Sequence, residues 1–483
     1  MMRVSSVGST TDWASTQLDE GSQALTARRA FLALMVAAVL IRLVLVWFVR
    51  DMDLQITDER HYATLAHNLV AGNGFAWGPG APTSIRPPLF PFFVAALWWL
   101  TSTESATLVR LAQIPLSLLS VAVVYLLGRR LFNPRVGLLA AAGLACYPSL
   151  LFSGVLVLTE TLFTALLLLT LLGCVALISR PSAWIALATS AALGAAALTR
   201  SVMAPFIVLL VAMSIIGLRA SLPARLRVAA MLCLGFVAVV GPWSVRNTRL
   251  QGTFTLVDTM GGLNLMMGNY AYTPEDRMWD AISLNGDKAW DRDRPAQAPD
   301  GGPWTEGKKD QWAKQQGLDY MKAHPLTTLR RSVLKFADFW GIEREFIAGV
   351  QSRLYQPPLF AAVAIALAIV ISYAAVMVLG AIGVSLAPPD NWRAHVLLVV
   401  VMLFIAGVHS VVFGHSRYHL PLVPVLLVYG GAAVDAGVWR AWTGKGAVVA
   451  TALLLMFVAI WTYEVFVQDA ARVAAFARLV GAR

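Results

Sequence analysis

Apolar residues in this sequence come in blocks long enough to cross a lipid bilayer. The longest blocks are 31–49, 136–179, 183–217, 357–387 and 446–466. A helix needs roughly 20 apolar residues to span the hydrocarbon core. Of the 483 residues 58% are hydrophobic and 13% are charged, whereas a soluble domain has about 25% charged residues. One soluble core cannot bury so much apolar surface. The sequence therefore predicts an all-α polytopic membrane protein.

The basic residues are explained by membrane topology. The net charge is +11, but the Lys and Arg residues lie in short runs between apolar blocks, such as the run from Arg129 to Arg135. Cytoplasmic loops of membrane proteins collect such residues, so we predict no nucleic-acid partner. The three cysteines all lie in apolar stretches, where a free thiol behaves as a small hydrophobic group.

The charge pattern predicts about 11 transmembrane helices. Arg28 and Arg29 precede the first apolar run, so we expect the N-terminus to be cytoplasmic. The short apolar stretch 88–101 begins with prolines and carries two tryptophans, which favours a helix lying at the outer interface. The predicted spans are 30–49, 105–127, 136–153, 157–178, 183–198, 202–217, 228–245, 357–385, 395–413, 420–439 and 446–466.

These spans predict both the localisation of the protein and the division of the chain into five parts. The localisation expected is the inner (plasma) membrane, with the membrane lipids as partners and the active site on the extracytoplasmic side. The segment 327–342 would form a further interfacial or re-entrant helix, whose basic residues Arg330, Arg331 and Lys335 fall on about one face and suit lipid phosphate headgroups. The parts are a disordered cytoplasmic tail (1–27), an N-terminal transmembrane catalytic module (28–245) with a first extracytoplasmic loop (50–104), a large extracytoplasmic loop (246–350), C-terminal transmembrane helices (351–466) and an extracytoplasmic tail (467–483).

Two acidic residues follow the first span closely, in the sequence ITDERHYATLAHNLVAGNGF. Asp58 and Glu59 begin a helical pattern that ends at Gly72 and Gly74, a signal for a helix end and a turn. One interpretation is a helix cap with a solvated charge pair. The other is a pair of carboxylates that act on a substrate outside the membrane.

Two further charged residues are predicted to reach the same side of the membrane. Arg86 precedes a double proline in APTSIRPPLFPFF, and Glu160 stands in the apolar segment LTETLF. A carboxylate at membrane depth is costly and usually functional, although Glu160 and Thr159 also suit a helix start. Together with Asp58 and Glu59, these residues provide the acids and the fixed cation that an acid/base site for a phosphorylated lipid requires.

The ordered set of motifs resembles the bacterial branch of the GT-C glycosyltransferases. This branch is related to dolichyl-phosphate-mannose protein mannosyltransferases and to the aminoarabinose transferase of lipid A. The motifs are D-E-x-x-Y-x-x-x-A, G-x-G-F, an R-P-P-L-x-P segment and the T-E-T-L-F hairpin, followed by ALTRS at Arg200 and GHSRYHLPLVPVL at Arg417. The resemblance covers roughly 50–440 and implies a GT-C-like fold. The segment 275–316 fits no family pattern, so the acceptor stays open.

The resemblance implies an inverting glycosyltransferase. It would move a sugar from a polyprenyl-phosphate carrier to a hydroxyl group of a lipid, glycan or protein acceptor. Asp58 would be the catalytic general base, and Glu59 would support Asp58 or bind the acceptor. Arg86 and Arg417 would bind the donor phosphate, with Tyr62 near it.

Three more residues are candidates for binding the acceptor or the sugar, namely Glu160, Arg200 and Tyr418. Arg200 has an alternative explanation, because it flanks a span. Arg417 and Tyr418 have one as well, since an Arg-Tyr pair at a helix entrance can anchor the helix at the interface.

No cofactor is predicted to be required, and no metal site is assigned. His409, His415 and His419 are spaced like helical ligands, but Arg417 and Pro421 favour a turn there, and a bound divalent ion stays possible. The sequence also leaves two other functions open. One is a flippase or transporter of lipid-linked sugar, and the other is an O-antigen ligase or polymerase.

Overall fold

The computed structural model describes residues 10–274, 291, 293–438, 442–470 and 474, and among these residues it is built of helices without a strand. The first half comprises α1 (Thr10–Phe48), α2 (Thr57–Val70), α3 (Leu89–Thr101), α4 (Ala106–Leu131), α5 (Pro134–Cys146), α6 (Pro148–Val155), α7 (Glu160–Ser179), α8 (Ala183–Thr199), α9 (Phe206–Gly217) and α10 (Leu222–Gln251). The second half comprises α11 (Gly261–Gly268), α12 (Glu306–Ala323), α13 (Pro325–Phe339), α14 (Glu345–Gln351), α15 (Leu359–Leu386), α16 (Trp392–Val411), α17 (Val423–Ala436) and α18 (Gly444–Tyr463). A 3₁₀ segment, Ser416–Leu422, leads into α17.

The multi-pass membrane architecture is confirmed. Within the described chain, eight helices are long and apolar enough to cross a membrane, or nine if the bent pair α5–α6 forms one span. Two shorter apolar helices, 183–199 and 201–217, lie where the sequence predicts the fifth and sixth spans. The predicted number of eleven spans would require both of these helices and the bent pair to cross the membrane. The third short apolar helix, Leu89–Thr101, coincides with the predicted interfacial helix.

The first helix is longer than the sequence suggests. It begins at Thr10, so the part of the predicted disordered tail from residue 10 onward is helical. Extending an existing helix adds one hydrogen bond for each residue that is fixed, whereas starting a new helix is unfavourable. The apolar run from Thr26 to Phe48 therefore supports a polar extension that would be marginal by itself. Residues 1–9, most of 275–292 and most of the predicted tail 467–483 beyond Asp469 lie outside the described residues.

Small residues allow neighbouring helices to approach closely. A Cβ atom on Gly128 of α4 would lie 2.8 Å from the Cα atom of Gly137 in α5. On α15, a Cβ atom on Gly383 would lie 2.0 Å from the carbonyl oxygen of Tyr429 in α17. Helix contacts in membranes depend on such close packing, because lipid tails are as apolar as the side chains.

A buried arginine compensates for the break between α5 and α6. The two helices are bent by 51° at Pro148, which cannot donate a backbone hydrogen bond. Arg42 of α1 is only 6% exposed, and its Nη1 donates to the carbonyl oxygen of Ala145 at 3.2 Å, beside the break. Its Nε donates to Ser117 Oγ at 2.8 Å. A broken membrane helix is tolerated where neighbouring groups bind its freed backbone atoms.

The first loop is tied to the segment that follows α10. Glu306 accepts hydrogen bonds from Thr83 Oγ1 and from the backbone N–H of Ser84, both at 2.6 Å. From the end of α10, Arg246 Nη1 donates to the carbonyl oxygen of Thr83 at 2.6 Å. These contacts fix the backbone immediately before Arg86.

Two of the three basic residues expected on the outer face of the helix over 327–342 turn inward, while Arg330 is exposed. Arg331 and Lys335 of α13 are 5% and 0% exposed. Arg331 donates to the carbonyl oxygens of Tyr270 and Thr273. The expectation that both residues face lipid headgroups is therefore wrong. Backbone carbonyl oxygens of distant segments, those of Tyr270, Thr273 and Val411, bind these cations. The helix α13 exposes apolar residues instead, namely Leu326, Leu329 and Val333.

The contacts of Arg42 lead to a stability prediction. We expect Arg42→Gln to lower the free energy of unfolding by about 1–3 kcal/mol, since it removes charged hydrogen bonds to buried acceptors. Thermal unfolding of the purified protein in detergent measures the change. Arg28→Gln, at an exposed arginine of the same helix, is the matched control and should have little effect. Equal melting temperatures for wild type and Arg42→Gln would contradict the role given to Arg42.

Candidate functional site

Charged residues from five separate elements meet at one end of the helix bundle. Asp58 lies in the first turn of α2, and Arg86 lies in the loop before α3. Glu160 is the first residue of α7, and Arg200 directly follows α8. Arg417 lies in the 3₁₀ segment before α17. We refer to these five residues as the carboxylate–arginine cluster.

Asp58 lies between two guanidinium groups. Arg86 Nη2 is 2.8 Å from Asp58 Oδ1, and Arg417 Nη1 is 3.6 Å from Asp58 Oδ2. The Asp58 side chain is 30% exposed, so this part of the cluster is open to incoming molecules. The sequence prediction that Asp58 and Arg86 converge therefore agrees with the geometry, and Arg417 joins them.

Glu160 forms the closed part of the cluster. Its side chain is fully buried, and its Oε1 accepts a hydrogen bond from Arg200 Nη2 at 2.7 Å. The same oxygen accepts one from Arg417 Nε. Arg417 thus bridges the two carboxylates, which are separated by about a hundred residues in the chain. A buried carboxylate is stable only when it is paired in this way.

Two tyrosines form the apolar surroundings of the arginines. The Arg86 guanidinium lies 5.9 Å from the ring centre of Tyr62, and Arg200 lies 5.7 Å from the ring centre of Tyr418. Tyr418 also stacks on His409, with 4.3 Å between ring centres. Both tyrosines therefore lie beside the cluster, in cation–π geometry.

The side chain of Glu59 binds backbone N–H groups of two segments. Its Oε2 accepts hydrogen bonds from the backbone N–H groups of Gln55 and Ile56, and its Oε1 accepts one from Val157 N at 2.8 Å. The side chain is fully buried. Glu59 thus caps α2 and ties it to the turn before α7, a geometry that suits neither acceptor binding nor direct contact with Asp58.

Two residues near Arg86 were not singled out from the sequence. Arg86 Nη2 is 2.9 Å from His61 Nδ1, and Asp258 lies close enough to interact electrostatically with Arg86. His61 is three residues after Asp58 on a helix, a spacing that brings two side chains to one face. Asp258 is the one acid in the segment TFTLVDTMGG, which is the sequence signal that would have identified it.

The histidines near Arg417 bind protein groups. His415 Nε2 is 3.2 Å from Glu345 Oε1. His419 is fully buried, with its Nε2 3.0 Å from Glu343 Oε1. Within the part of the chain that the structure describes, no group of three His, Cys, Asp or Glu residues is arranged to hold a metal ion. That no metal or cofactor is needed stays a prediction.

One partly buried acid near the cluster raises the pKa of another. Asp310 of α12 accepts hydrogen bonds from the backbone N–H groups of Gly262 at 2.7 Å and Leu263 at 3.2 Å. Burial, together with the nearby charge of Asp258, raises the pKa of Asp310 to about 6 against these hydrogen bonds. Burial also raises the pKa of Asp258 above its ordinary value, while the charge of Arg86 opposes that rise.

Comparisons with known proteins agree with this architecture. Residues 85–245 match the family model described as dolichyl-phosphate-mannose-protein mannosyltransferase. The matched segment contains Arg86, Glu160 and Arg200, while Asp58 and Arg417 lie outside it. No protein with a curated description matches the chain.

Solved structures that resemble this chain include an archaeal oligosaccharyltransferase and ArnT. The oligosaccharyltransferase of Archaeoglobus fulgidus in the apo form is 16% identical, with a TM-score of 0.51 over 89% of this chain. This chain spans only 54% of that protein. ArnT from Cupriavidus metallidurans bound to undecaprenyl phosphate is 17% identical, with a TM-score of 0.39 over 85% of this chain and 79% of that one. The predicted resemblance to dolichyl-phosphate-mannose protein mannosyltransferases is confirmed over residues 85–245, and the predicted all-helical, GT-C-like fold agrees with the fold shared with the archaeal oligosaccharyltransferase.

The buried position of Glu160 leads to a second stability prediction. We expect Glu160→Ala to lower the free energy of unfolding by about 3–5 kcal/mol, because it leaves Arg200 and Arg417 without their shared partner. Thermal unfolding in detergent measures the change. Glu104→Ala is the matched control, since the side chain of Glu104 is 43% exposed and pairs with His67. A melting temperature for Glu160→Ala equal to that of the control would exclude a paired, buried Glu160.

The environment of Asp310 predicts a pH dependence of stability. The pKa of Asp310 in the folded protein, about 6, is above its ordinary value of 3.8, so the folded state binds the proton more tightly than the unfolded state. The contribution of Asp310 is fully present below about pH 4 and is lost as the pH rises through 6. The melting temperature of the wild type should therefore fall between pH 4.5 and 7. We expect Asp310→Asn to remove the part of this fall that comes from Asp310. Asp319→Asn, at an exposed position of α12, should leave the wild-type slope unchanged, and an unchanged slope in Asp310→Asn would contradict the assignment.

Proposed function

We propose that this chain is an inverting glycosyltransferase that uses a polyprenyl-phosphate-linked sugar as its donor. The acceptor is a hydroxyl group of a lipid, a glycan or a protein. The observation that carries the proposal is the position of Asp58 between Arg86 and Arg417, at an opening of the cluster. This arrangement supplies one carboxylate and two fixed cations within reach of the same small molecule.

The reaction is a single displacement at the anomeric carbon. Asp58 accepts the proton of the acceptor hydroxyl while the oxygen forms its bond to the anomeric carbon. The bond from that carbon to the phosphate oxygen breaks, and its electron pair leaves with the polyprenyl phosphate. A positioned general base contributes typically 10²–10⁴-fold in rate. One displacement inverts the configuration of the sugar.

Arg86 and Arg417 balance the charge that develops on the leaving phosphate. Guanidinium groups make two-pronged hydrogen bonds to phosphate oxygens, and preorganised cations stabilise charge that appears in the transition state. In the structure these arginines contact Asp58. A donor phosphate that takes over their contacts would release the Asp58 carboxylate to accept the proton.

Glu160, Arg200 and Tyr418 complete the proposed site. Glu160 orients Arg417 through its hydrogen bond from Nε, which leaves the terminal nitrogens of Arg417 directed toward Asp58. Arg200 pairs with Glu160 and lies beside Tyr418, and we propose that these residues contribute to binding the sugar or the acceptor. For Glu59 we propose a positioning role, because its three backbone hydrogen bonds hold the helix turn that carries Asp58.

The arginines at the opposite end of the bundle support an extracytoplasmic site. Arg129 and Arg130 end α4, Arg180 follows α7, and Arg219 follows α9, whereas Glu160 begins α7. Cytoplasmic loops are enriched in Lys and Arg. We therefore propose that the cluster faces away from the cytoplasm, in the inner membrane of the cell.

Turnover and donor binding should separate the roles of Asp58 and Arg86. The assay follows the release of polyprenyl phosphate from a polyprenyl-phosphate hexose by the purified protein, together with donor binding. We expect Asp58→Asn to lower turnover by about 10²–10⁴-fold and to retain donor binding. Arg86→Ala should weaken donor binding.

The matched controls are Asp53→Asn and Arg60→Ala, which change exposed residues of the same loop and should behave like wild type. Equal loss of donor binding in Asp58→Asn and Arg86→Ala would contradict the assigned roles. Movement of the intact sugar carrier across liposomes, unaffected by Asp58→Asn, would show that the chain is a transporter, not a transferase.

A further inference from the structure

A cavity of about 150 Å³ lies beside the carboxylate–arginine cluster. We call it the side cavity. It is bounded by the region of α6 and the turn after it, by the segment from Glu343 to Tyr355, and by the 3₁₀ segment before α17. Arg417 belongs to both the cluster and the wall of the side cavity, and Ile56, two residues before Asp58, lines it as well. A molecule in the side cavity is therefore adjacent to whatever Arg417 binds.

One wall of the side cavity is aromatic. The ring centres of Phe152 and Phe346 are 5.5 Å apart, and those of Phe152 and Tyr355 are 5.3 Å apart. Such rings offer flat apolar surfaces, while a few polar groups in a pocket fix the orientation of a ligand. A sugar ring has the matching character, since its faces carry C–H groups and its edge carries hydroxyl groups.

The polar groups of the side cavity suit hydroxyl groups. Glu343 and Glu345 lie in its wall with Ser149 and Ser153. Ser416 also lines it; this residue is 1% exposed, and its Oγ has no hydrogen-bond partner among the described residues. A buried hydroxyl without a partner is unfavourable. A ligand hydroxyl would supply the missing partner.

We propose that the side cavity binds the sugar ring of the donor, and that this sugar is uncharged rather than acidic. The inference rests on the function proposed above, because it takes the donor phosphate to lie on Arg417. In such a donor the anomeric carbon is joined to the phosphate through one oxygen atom, so the ring must lie next to the phosphate site. A cavity of 150 Å³ has room for one six-membered ring.

The charges in the side cavity select against acidic sugars. Among the described residues that line it, Glu343 and Glu345 are the acids, and Arg417 is the one arginine or lysine. Arg417 is already shared by Asp58, Glu160 and the donor phosphate. A carboxylate on the sugar would therefore face two carboxylates without a free cation. Repulsion between these like charges would disfavour binding of an acidic sugar. Hydroxyl groups, by contrast, donate hydrogen bonds to carboxylates.

Binding of donors with and without a sugar tests the proposal. The probes are undecaprenyl phosphate, undecaprenyl phosphate bearing a neutral hexose, and the same lipid bearing a hexuronic acid. Tryptophan fluorescence of the detergent-solubilised protein gives each dissociation constant. Ala348→Trp narrows the side cavity from an exposed position of its wall, and Ser416→Ala removes the unpartnered hydroxyl. Ala323→Trp, at an exposed position outside the side cavity, is the matched control.

We expect Ala348→Trp to weaken binding of the neutral-hexose lipid at least about 10-fold and Ser416→Ala to weaken it about 2- to 10-fold. Neither should change the binding of undecaprenyl phosphate, and Ala323→Trp should change nothing. The hexuronic acid lipid should bind wild type more weakly than the neutral one.

Two results would overturn the inference while the proposed function stands. In the first, wild type binds undecaprenyl phosphate, but both cavity variants bind the hexose lipid like wild type or lose both lipids equally. In the second, the hexuronic acid lipid binds as tightly as the neutral one. Failure of wild type to bind any of the three lipids would instead contradict the proposed function itself.

Discussion

The hydrogen bond between Arg417 and the buried carboxylate of Glu160 is the interaction on which the rest of the site depends. Glu160 is fully buried at the end of a membrane helix, where an unpaired charge would be very unfavourable. Pairing with Arg200 and Arg417 makes this position possible. It also fixes Arg417, whose terminal nitrogen then reaches Asp58 on the first loop. Stability and the proposed chemistry therefore use the same ion pairs.

Other buried cations hold the loops from which the site is built. Arg110 of α4 donates to the carbonyl oxygens of Val49, Met52 and Val155, so it joins the start of the first loop to the end of α6. Arg246 binds the backbone before Arg86 in the same manner. Loops contain many backbone groups without partners in regular secondary structure. At the edge of a membrane, arginine side chains can satisfy several of these groups at once.

The sequence predicted the spans and much of the cluster because both follow from strong local signals. Apolar length identifies a membrane helix, and a charge in or next to an apolar segment is conspicuous, as for Glu160 and Arg417. The convergence of Asp58 with Arg86 and Glu160 was predicted from the order of crossings, whereas Arg417 was added through the family resemblance. The roles assigned to these residues stay predictions.

The sequence could not reveal whether a helix face points into the protein or toward the surface. It also could not reveal which of two neighbouring acids binds backbone groups. Arg331 and Lys335 looked suitable for lipid headgroups, yet carbonyl groups more than fifty residues away bind Arg331. Similarly, Asp58 and Glu59 are adjacent, and only the partner at Val157, about a hundred residues later, shows that Glu59 is a structural cap. Such contacts between distant segments have no local signature.

Glu59 also has a consequence for how the site can move. By binding Val157, it attaches the helix of Asp58 to the turn that leads into the helix of Glu160. The two carboxylates thus belong to one connected body, and their separation cannot easily change. The two acids therefore keep their spacing, and we expect any adjustment to a ligand in the side-chain atoms of Arg86 and Arg417 that face Asp58.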